Sequence, residues 1–369
     1  MLAAMNRRAF VCAAAAVSSA MAQANPLDAI ALKTLQQQID AAINARRLPG
    51  AVLWIEQLGR PPHTQVFGQR AWLPTPEALR LDAVFDVASL TKPVVTGMLC
   101  AQLIEGGQLA LDAPVQRTLP EFSGRASITL RHLLTHSSGL PAILPLEPAW
   151  IGAGSAHALA CAALPTHPPG TLFRYSDINY ILLGNVIERI AGKSLAELAE
   201  QRVLRPLGMT DSGYLPLLRH PTERLVPTEF DGATMLRGQV HDPAARRMGG
   251  VAGHAGLFAP VADLARFARA MLEQHERWRL MTSNASPAGL APRGLGWDIE
   301  SPYSRPRGKV YPVGGFGHTG FTGCAMWINP GSQSFYVFLS NRVHPRGNDS
   351  IVALYEEVGT AAARAVGLP

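Results

Sequence analysis

Three short stretches of the chain hold side chains whose types and spacing suit chemistry. In the first, Ser89-Leu-Thr-Lys92 sets a hydroxyl three residues before an amine, and Pro93 follows at once. Residues three apart share one face of a helix. Proline is tolerated only in a helix's first turn, so the helix must open near Ser89, where backbone N–H groups lack partners and negative charge is favoured. A hydroxyl with a base at hydrogen-bond range and donors for an oxyanion makes an activated nucleophile. Taken alone, the same pattern equally describes an N-cap serine beside a solvated lysine.

The second stretch is Phe173-Arg-Tyr175-Ser-Asp177-Ile-Asn179-Tyr180, which follows Pro168-Pro169-Gly170. Tyr175 therefore falls on a loop just before a helix. It reads either as a packed loop tyrosine or, beside a lysine ammonium that favours phenolate, as a general base at neutral pH. The third is Phe316-Gly-His318-Thr319-Gly320-Phe321. Thr319 and Gly320 on an exposed strand edge let a substrate backbone pair in β fashion. A backbone N–H of this strand facing Ser89 completes an oxyanion hole.

The elements that must position these groups follow from periodicity. Leu27–Arg47 is an amphipathic helix, and Ala51–Gln57 and Gln65–Phe67 are strands around a Gly59-Arg-Pro-Pro turn. Asp82–Val87 reads as the end of an extended run, and Ala88–Ile104 as the nucleophile helix, stopped by Gly106-Gly107. From 110 to 240 short helical runs alternate with Pro and Gly breaks, among them Ile128–Thr135 and Ile178–Ile190, and Ser194-Leu-Ala-Glu197 is a capping box. A glycine-rich stretch, Gly249–Gly256, precedes a helix at Val261–Gln274. Gly317–Ile328 and Ser334–Ser340 read as strands, and Ser350–Val366 closes the chain as a helix. Strands at both ends with helices between predict an α+β fold: an antiparallel sheet flanked by helices (about 25–109 and 241–369) with an inserted, mostly helical lobe (about 110–240).

Of 369 residues, 47% are hydrophobic and 16% charged, which suits a sizeable folded core. A net charge of +6 without a Lys/Arg run interleaved with aromatics argues against nucleic acid. Residues 1–24 read as an export signal. Arg7-Arg8-Ala-Phe10 resembles a twin-arginine n-region, an Ala-rich stretch follows, and Ala20-Met-Ala22 and Ala22-Gln-Ala24 are cleavage sites. The expected location is the periplasm of a bacterium, with no stable membrane insertion once the leader is removed. Cys12 leaves with that leader. Cys100, Cys161 and Cys324 allow one bridge, and no C-x-x-C or H-E-x-x-H zinc pattern is present.

Ser89-x-x-Lys92, Tyr175-Ser-Asp177 and His318-Thr-Gly320, in this order, resemble the three motifs of the serine β-lactamase and penicillin-binding protein superfamily. The tyrosine points to its class C-like branch. Leu130-Arg-His-Leu-Leu-Thr-His136-Ser-Ser-Gly139, Pro206-Leu-Gly-Met209 and Leu257-Phe with Asp263-Leu-Ala-Arg-Phe267 extend the resemblance over nearly the whole mature chain. Val240-His241-Asp242-Pro with Gly249–Gly256 is similar to a branch holding cell-wall carboxypeptidases and N-acetylmuramyl-L-alanine amidases, and implies that His254 lines the pocket.

The resemblance implies a β-lactamase/transpeptidase-like fold and a metal-independent, cofactor-free acyl-enzyme mechanism. Ser89 attacks a carbonyl, Lys92 and Tyr175 share the proton transfers, and the N–H groups of Ser89 and Phe321 hold the oxyanion. Two positions depart from the pattern. Asp177 stands where Asn is usual, and a carboxylate there favours charged Lys92 and shifts weight to Tyr175 as base. His318 replaces a lysine that meets a substrate carboxylate, and histidine is only partly cationic near neutral pH. Arg342 is the candidate for the missing charge, beside its reading as a capped strand end. His241, Asp242 and His254 read as structural rather than metal-binding. The leading expectation is an exported serine hydrolase acting on an amide bond of peptidoglycan fragments. A class C-like carboxylesterase is the alternative; a β-lactamase and a silent penicillin-binding module rank below it.

Overall fold

A computed structural model describes residues 26–347 and 350–369; the expected leader, 1–24, lies outside them. Six strands form one sheet: β1 (Gly50–Gln57), β2 (His63–Ala71), β3 (Glu77–Ala78), β4 (Phe316–Gly320), β5 (Cys324–Asn329) and β6 (Ser334–Ser340). Their order is β3-β2-β1-β6-β5-β4, with every pairing antiparallel. The two ends of the chain therefore meet at the centre, where Leu53 lies opposite Phe338.

Side chains alternate between the faces, as a two-residue period requires. Leu53, Ile55, Trp327, Tyr336 and Phe338 pack under the first and last helices, Ala29–Asn44 and Val352–Ala365. Asp28 starts the first of these by accepting from Ala31 N–H at 2.7 Å. Val52, Met326, Ile328, Val337 and Leu339 face the other way, toward helix Val261–Glu273. That second core continues without a break into the helical segment, through Ile181, Leu183 and Val186 of helix Asp177–Ala191. At about 1.5–3 kcal/mol for each fully buried large apolar side chain, the two layers hold the sheet firmly, so its edge is a rigid base for a site. The fold is α+β, an antiparallel sheet flanked by helices.

Several elements depart from the sequence reading. Gly317–Ile328 is two strands, because the chain reverses at Phe321-Thr322-Gly323. Within the region expected to be helical, Pro227–Asp231 pairs with Thr234–Arg237 as a hairpin. Of the extended run, only Phe85–Asp86 is strand, paired with Phe258–Ala259. The nucleophile segment is no uniform α-helix. It runs as a 3₁₀ turn (Ala88–Leu90), a π-turn (Lys92–Gly97) and only then α-helix (Met98–Glu105). Pro93 lacks an N–H and its ring crowds the carbonyl four residues back, so the regular ladder cannot form there. The capping box at Ser194 forms as expected. Cys100, Cys161 and Cys324 are buried free thiols, and among the described residues no helix is long and apolar enough to cross a membrane.

Candidate active site

Ser89 stands on a strained turn. Ala88, just before it, has φ +47°, a region costly for a residue with a Cβ. Asp86 holds the turn in place. Its Oδ1 accepts from Ala88 N–H at 2.8 Å, its Oδ2 accepts from His241 N–H at 2.7 Å, and its carbonyl accepts from Thr322 Oγ1 at 2.7 Å. One buried residue, through its carboxylate and its carbonyl, thus ties together the nucleophile turn, the His241 loop and the turn that ends β4. Burial raises its pKa, with the bonds from His241 and Ala88 opposing that rise.

β4 is the outermost strand of its edge, and it lies directly against this turn. A Cβ on Gly320 would sit 2.4 Å from the Val87 carbonyl. Gly253 does the same on the other side, where a Cβ would meet the Tyr180 carbonyl at 2.0 Å. Only glycine permits these approaches, which bring the glycine-rich loop against helix Asp177–Ala191.

Lys92 is fully buried and held from three directions. Nζ donates to Ser89 Oγ at 2.9 Å and to the His254 carbonyl at 3.0 Å, and lies 2.7 Å from Asp177 Oδ1. Asp177 itself sits at the N-terminus of its helix, a position that suits a carboxylate. Burial works to lower the lysine's pKa, but the Asp177 carboxylate, joined by polar contacts with Asp177 and Tyr175, outweighs it and the pKa is raised. Lys92 is therefore an ammonium at neutral pH.

Tyr175 closes the other side of Ser89, with Lys92 Nζ 5.0 Å from its ring centroid. His136 stacks on it at 4.3 Å and 28°. His136 Nδ1 accepts from Ser176 N–H at 3.1 Å, and burial first, then Arg293 and Lys92, keeps that ring neutral. The Tyr175 pKa is raised as well. Burial is the largest cause, Asp177 adds to it, and the opposing pull of Lys92 and Ser89 does not overcome them. This corrects the expectation of a phenolate: Tyr175 is a neutral phenol, because desolvation in this enclosed spot costs an anion more than one shared cation returns.

His318 is corrected in the same way. It is 6% exposed, and burial, then Arg293 and Lys92, pushes its pKa well below the ordinary value. The ring is neutral and carries no part of a charge. Its Nδ1 lies 2.7 Å from the Thr319 carbonyl, which assigns the proton to that nitrogen.

Ser89 opens onto two clefts. The smaller, 180 Å³, is lined by Tyr175, Arg293, Asp298, Tyr303, His318, Thr319 and Phe321. The larger, 480 Å³, has an apolar wall of Ile143, Leu144, Leu146 and Ile181, with Asp177, Asp242 and His254 opposite. Phe321 and Tyr175 border both. His254 Nε2 pairs with Asp242 Oδ1 at 2.9 Å. Burial opposes ionisation of Asp242, but the histidine and the Ala245 N–H hold its carboxyl well below the usual range. His241 instead pairs with Glu229 at 2.9 Å and stacks on Phe321. Ligand atoms of Asp177, Asp242 and His254 lie within 4.8 Å of one another, yet the Lys92 ammonium already answers the Asp177 charge.

Of the residues singled out in the sequence, the fold brings Ser89, Lys92, Tyr175, Asp177, His254, His318, Thr319, Gly320 and Phe321 to one place. Arg342 lies 4.6 Å over the Phe321 ring and lines neither cleft. Asp86, Arg293 and Asp298 went unnoticed. Their signal was slight: a lone acid within Val84-Phe85-Asp86-Val87, and a lone arginine within Ala291-Pro292-Arg293-Gly294-Leu295.

The Beta-lactamase family model matches residues 33–358. The chain is a serine hydrolase of the β-lactamase family. Among this family's curated members it is 28% identical, over 82% of its length and 84% of theirs, to the "Putative D-alanyl-D-alanine carboxypeptidase" of Escherichia coli K12. It is 30% identical to the N-acetylmuramyl-L-alanine amidase of Bacillus subtilis 168, covering 85% of this chain and 81% of that one. Solved structures of similar fold include a class C β-lactamase (TM-score 0.71, 20% identity, 89% and 97% covered). Another is EstCE1, described as a hydrolase with promiscuous acyltransferase activity (TM-score 0.71, 21% identity, 90% and 98% covered).

Proposed function

We propose that this chain is an exported, periplasmic enzyme that cleaves an amide bond of peptidoglycan fragments through an acyl-enzyme on Ser89, as a D-alanyl carboxypeptidase or a muramyl-peptide amidase. The observation that carries this reading is the contact of Ser89 Oγ with the buried Lys92 Nζ at 2.9 Å, with Tyr175 lining the same two clefts as Ser89. The curated relatives of matching length carry cell-wall names, and the paired-arginine leader supports export.

In this mechanism Ser89 Oγ bonds to the scissile carbonyl carbon as its proton moves to Tyr175 Oη. Tyr175 gives its own proton to the departing nitrogen, so the phenol is neutral before and after the step. Lys92 stays charged, holds Oγ in place and stabilises the negative charge that develops around it. The N–H groups of Ser89 and Phe321 take the oxyanion. Deacylation runs the relay in reverse, with water in place of the amine.

A carboxylesterase is the second reading, favoured by the apolar wall of the larger cleft. A fluorescent phosphonate tests the shared chemistry. Labelling of the wild type that vanishes in Ser89→Ala supports both readings; labelling that persists sinks both. Muropeptides assayed beside p-nitrophenyl esters then separate them, since ester turnover without muropeptide cleavage overturns the first reading.

A further inference from the structure

Two aromatic rings stand exposed beside Ser89. Phe321, 60% exposed, borders both clefts, and Tyr303, 49% exposed, lines the smaller one. Tyr303 ends a row of rings, 5.7 Å from Phe173 and 5.8 Å from Tyr175. The cation behind these rings is sealed into the wall. Arg293 is 1% exposed, its Nε and Nη2 are wholly buried, and the Phe173 ring covers its guanidinium at 5.1 Å. Its Nη1 donates to Asp298 Oδ1 at 2.9 Å, and Asp298 is buried too, so the two charges cancel out of reach of the cleft. His318 is buried beside them, with Nδ1 held by the Thr319 carbonyl. The larger cleft is lined by the carboxyl groups of Asp177, Glu229 and Asp242, and its two histidines already pair with the latter two, His241 with Glu229 and His254 with Asp242. Among the described residues, each basic group lining either cleft is therefore sealed or already partnered.

We propose that the group leaving from Ser89 is uncharged and seats against Tyr303 in the smaller cleft, and that a departing amino acid with a free carboxylate is turned away. This deepens the acyl-enzyme reading above and rests on it. A carboxylate in the smaller cleft exchanges its water for aromatic rings and a sealed ion pair, and in the larger cleft it meets like charge; neither place returns the lost hydration. A neutral group gives up far less and gains by covering the rings. At about 30 Å³ for each water-sized group, 180 Å³ takes about six heavy atoms, the size of one residue. By the same measure 480 Å³ takes about sixteen, which suits a larger acyl portion. The departing residue is then one whose own carbonyl continues as an amide. Cleavage inside a muropeptide releases such a residue, whereas removal of a terminal alanine releases a carboxylate. The arrangement selects the amidase branch over the carboxypeptidase branch.

The test uses the full mature wild-type protein and two aryl esters of N-acetylalanine, one with a meta-carbamoylphenyl and one with a meta-carboxyphenyl leaving group. Each kcat/KM is divided by the rate of the same ester with hydroxide, which removes the difference in leaving-group chemistry. The carbamoyl ester is preferred by about 10-fold or more at neutral pH. Tyr303→Ala lowers kcat/KM for the carbamoylphenyl ester several-fold and leaves the methyl ester of N-acetylalanine unchanged, which separates a ring contact from a loss of folded enzyme. Equal turnover of the two aryl esters, or preference for the carboxylate, overturns the proposal, and Arg293→Gln and Arg342→Gln then show which cation opened to it. An unchanged aryl rate in Tyr303→Ala, or an equal loss on aryl and methyl esters, overturns it as well. Phosphonate labelling of Ser89 is scored beside these rates. Labelling with turnover of neither aryl ester overturns the proposal and leaves the acyl-enzyme reading standing; no labelling sinks both.

Discussion

Asp177 Oδ1 lies 2.7 Å from Lys92 Nζ, and the lysine is wholly enclosed. This contact decides the resting charges at Ser89. Asp177 is the largest influence raising the lysine's pKa, and it also helps raise that of Tyr175. Replacing it with the isosteric Asn removes both effects. In Asp177→Asn the alkaline limb of kcat, set by loss of the Lys92 or Tyr175 proton, moves to lower pH than in the wild type. A limb that stays in place would mean that neither proton is required.

The wild-type pH profile follows from the same two shifts. Both pKa values lie above their ordinary 10.5 and 10.0, so the active form, charged lysine with neutral tyrosine, persists through neutrality. The rate stays flat around pH 7 and declines only above pH 10.0. A tyrosinate base would instead give a rate that climbs with pH around neutrality. Tyr175→Phe keeps the stack on His136 and loses the relay, which costs about 10²- to 10⁴-fold in kcat.

Gly320→Ala tests the contact between β4 and the nucleophile turn. The new Cβ falls 2.4 Å from the Val87 carbonyl, and both partners are backbone. The turn must shift, and a displacement of about 1 Å costs on the order of 10²-fold in kcat/KM. Circular dichroism of the variant stays native, since the six-stranded pairing is untouched.

Asp86→Asn puts an amide N–H₂ where a carboxylate accepted from both Ala88 and His241. One buried backbone N–H is left facing a donor, at about 1–3 kcal/mol. Thermal unfolding shifts down by a few degrees, and phosphonate labelling of Ser89 slows because Ala88 is no longer held at positive φ. Native labelling rates in a destabilised variant would show that Asp86 serves stability alone.

The local patterns determined a good deal. A two-residue period located the central strands, Pro93 located the start of the nucleophile segment, and three motifs in order singled out Ser89, Lys92 and Tyr175, which the fold brings together. Such signals are legible because each depends on neighbours in sequence. The tertiary structure decided the electrostatics. Nothing near Tyr175 or His318 in the sequence reveals how deeply they are buried, so desolvation removed the charges expected of them. The same cause hid Arg293. In sequence it is one arginine among glycines; in the fold it is a guanidinium sealed against Asp298 with two donors unmet. Burial and long-range charge are sums over residues distant in the chain, here Asp177 acting on Lys92 and Arg293 on His318, and only folding brings those terms together.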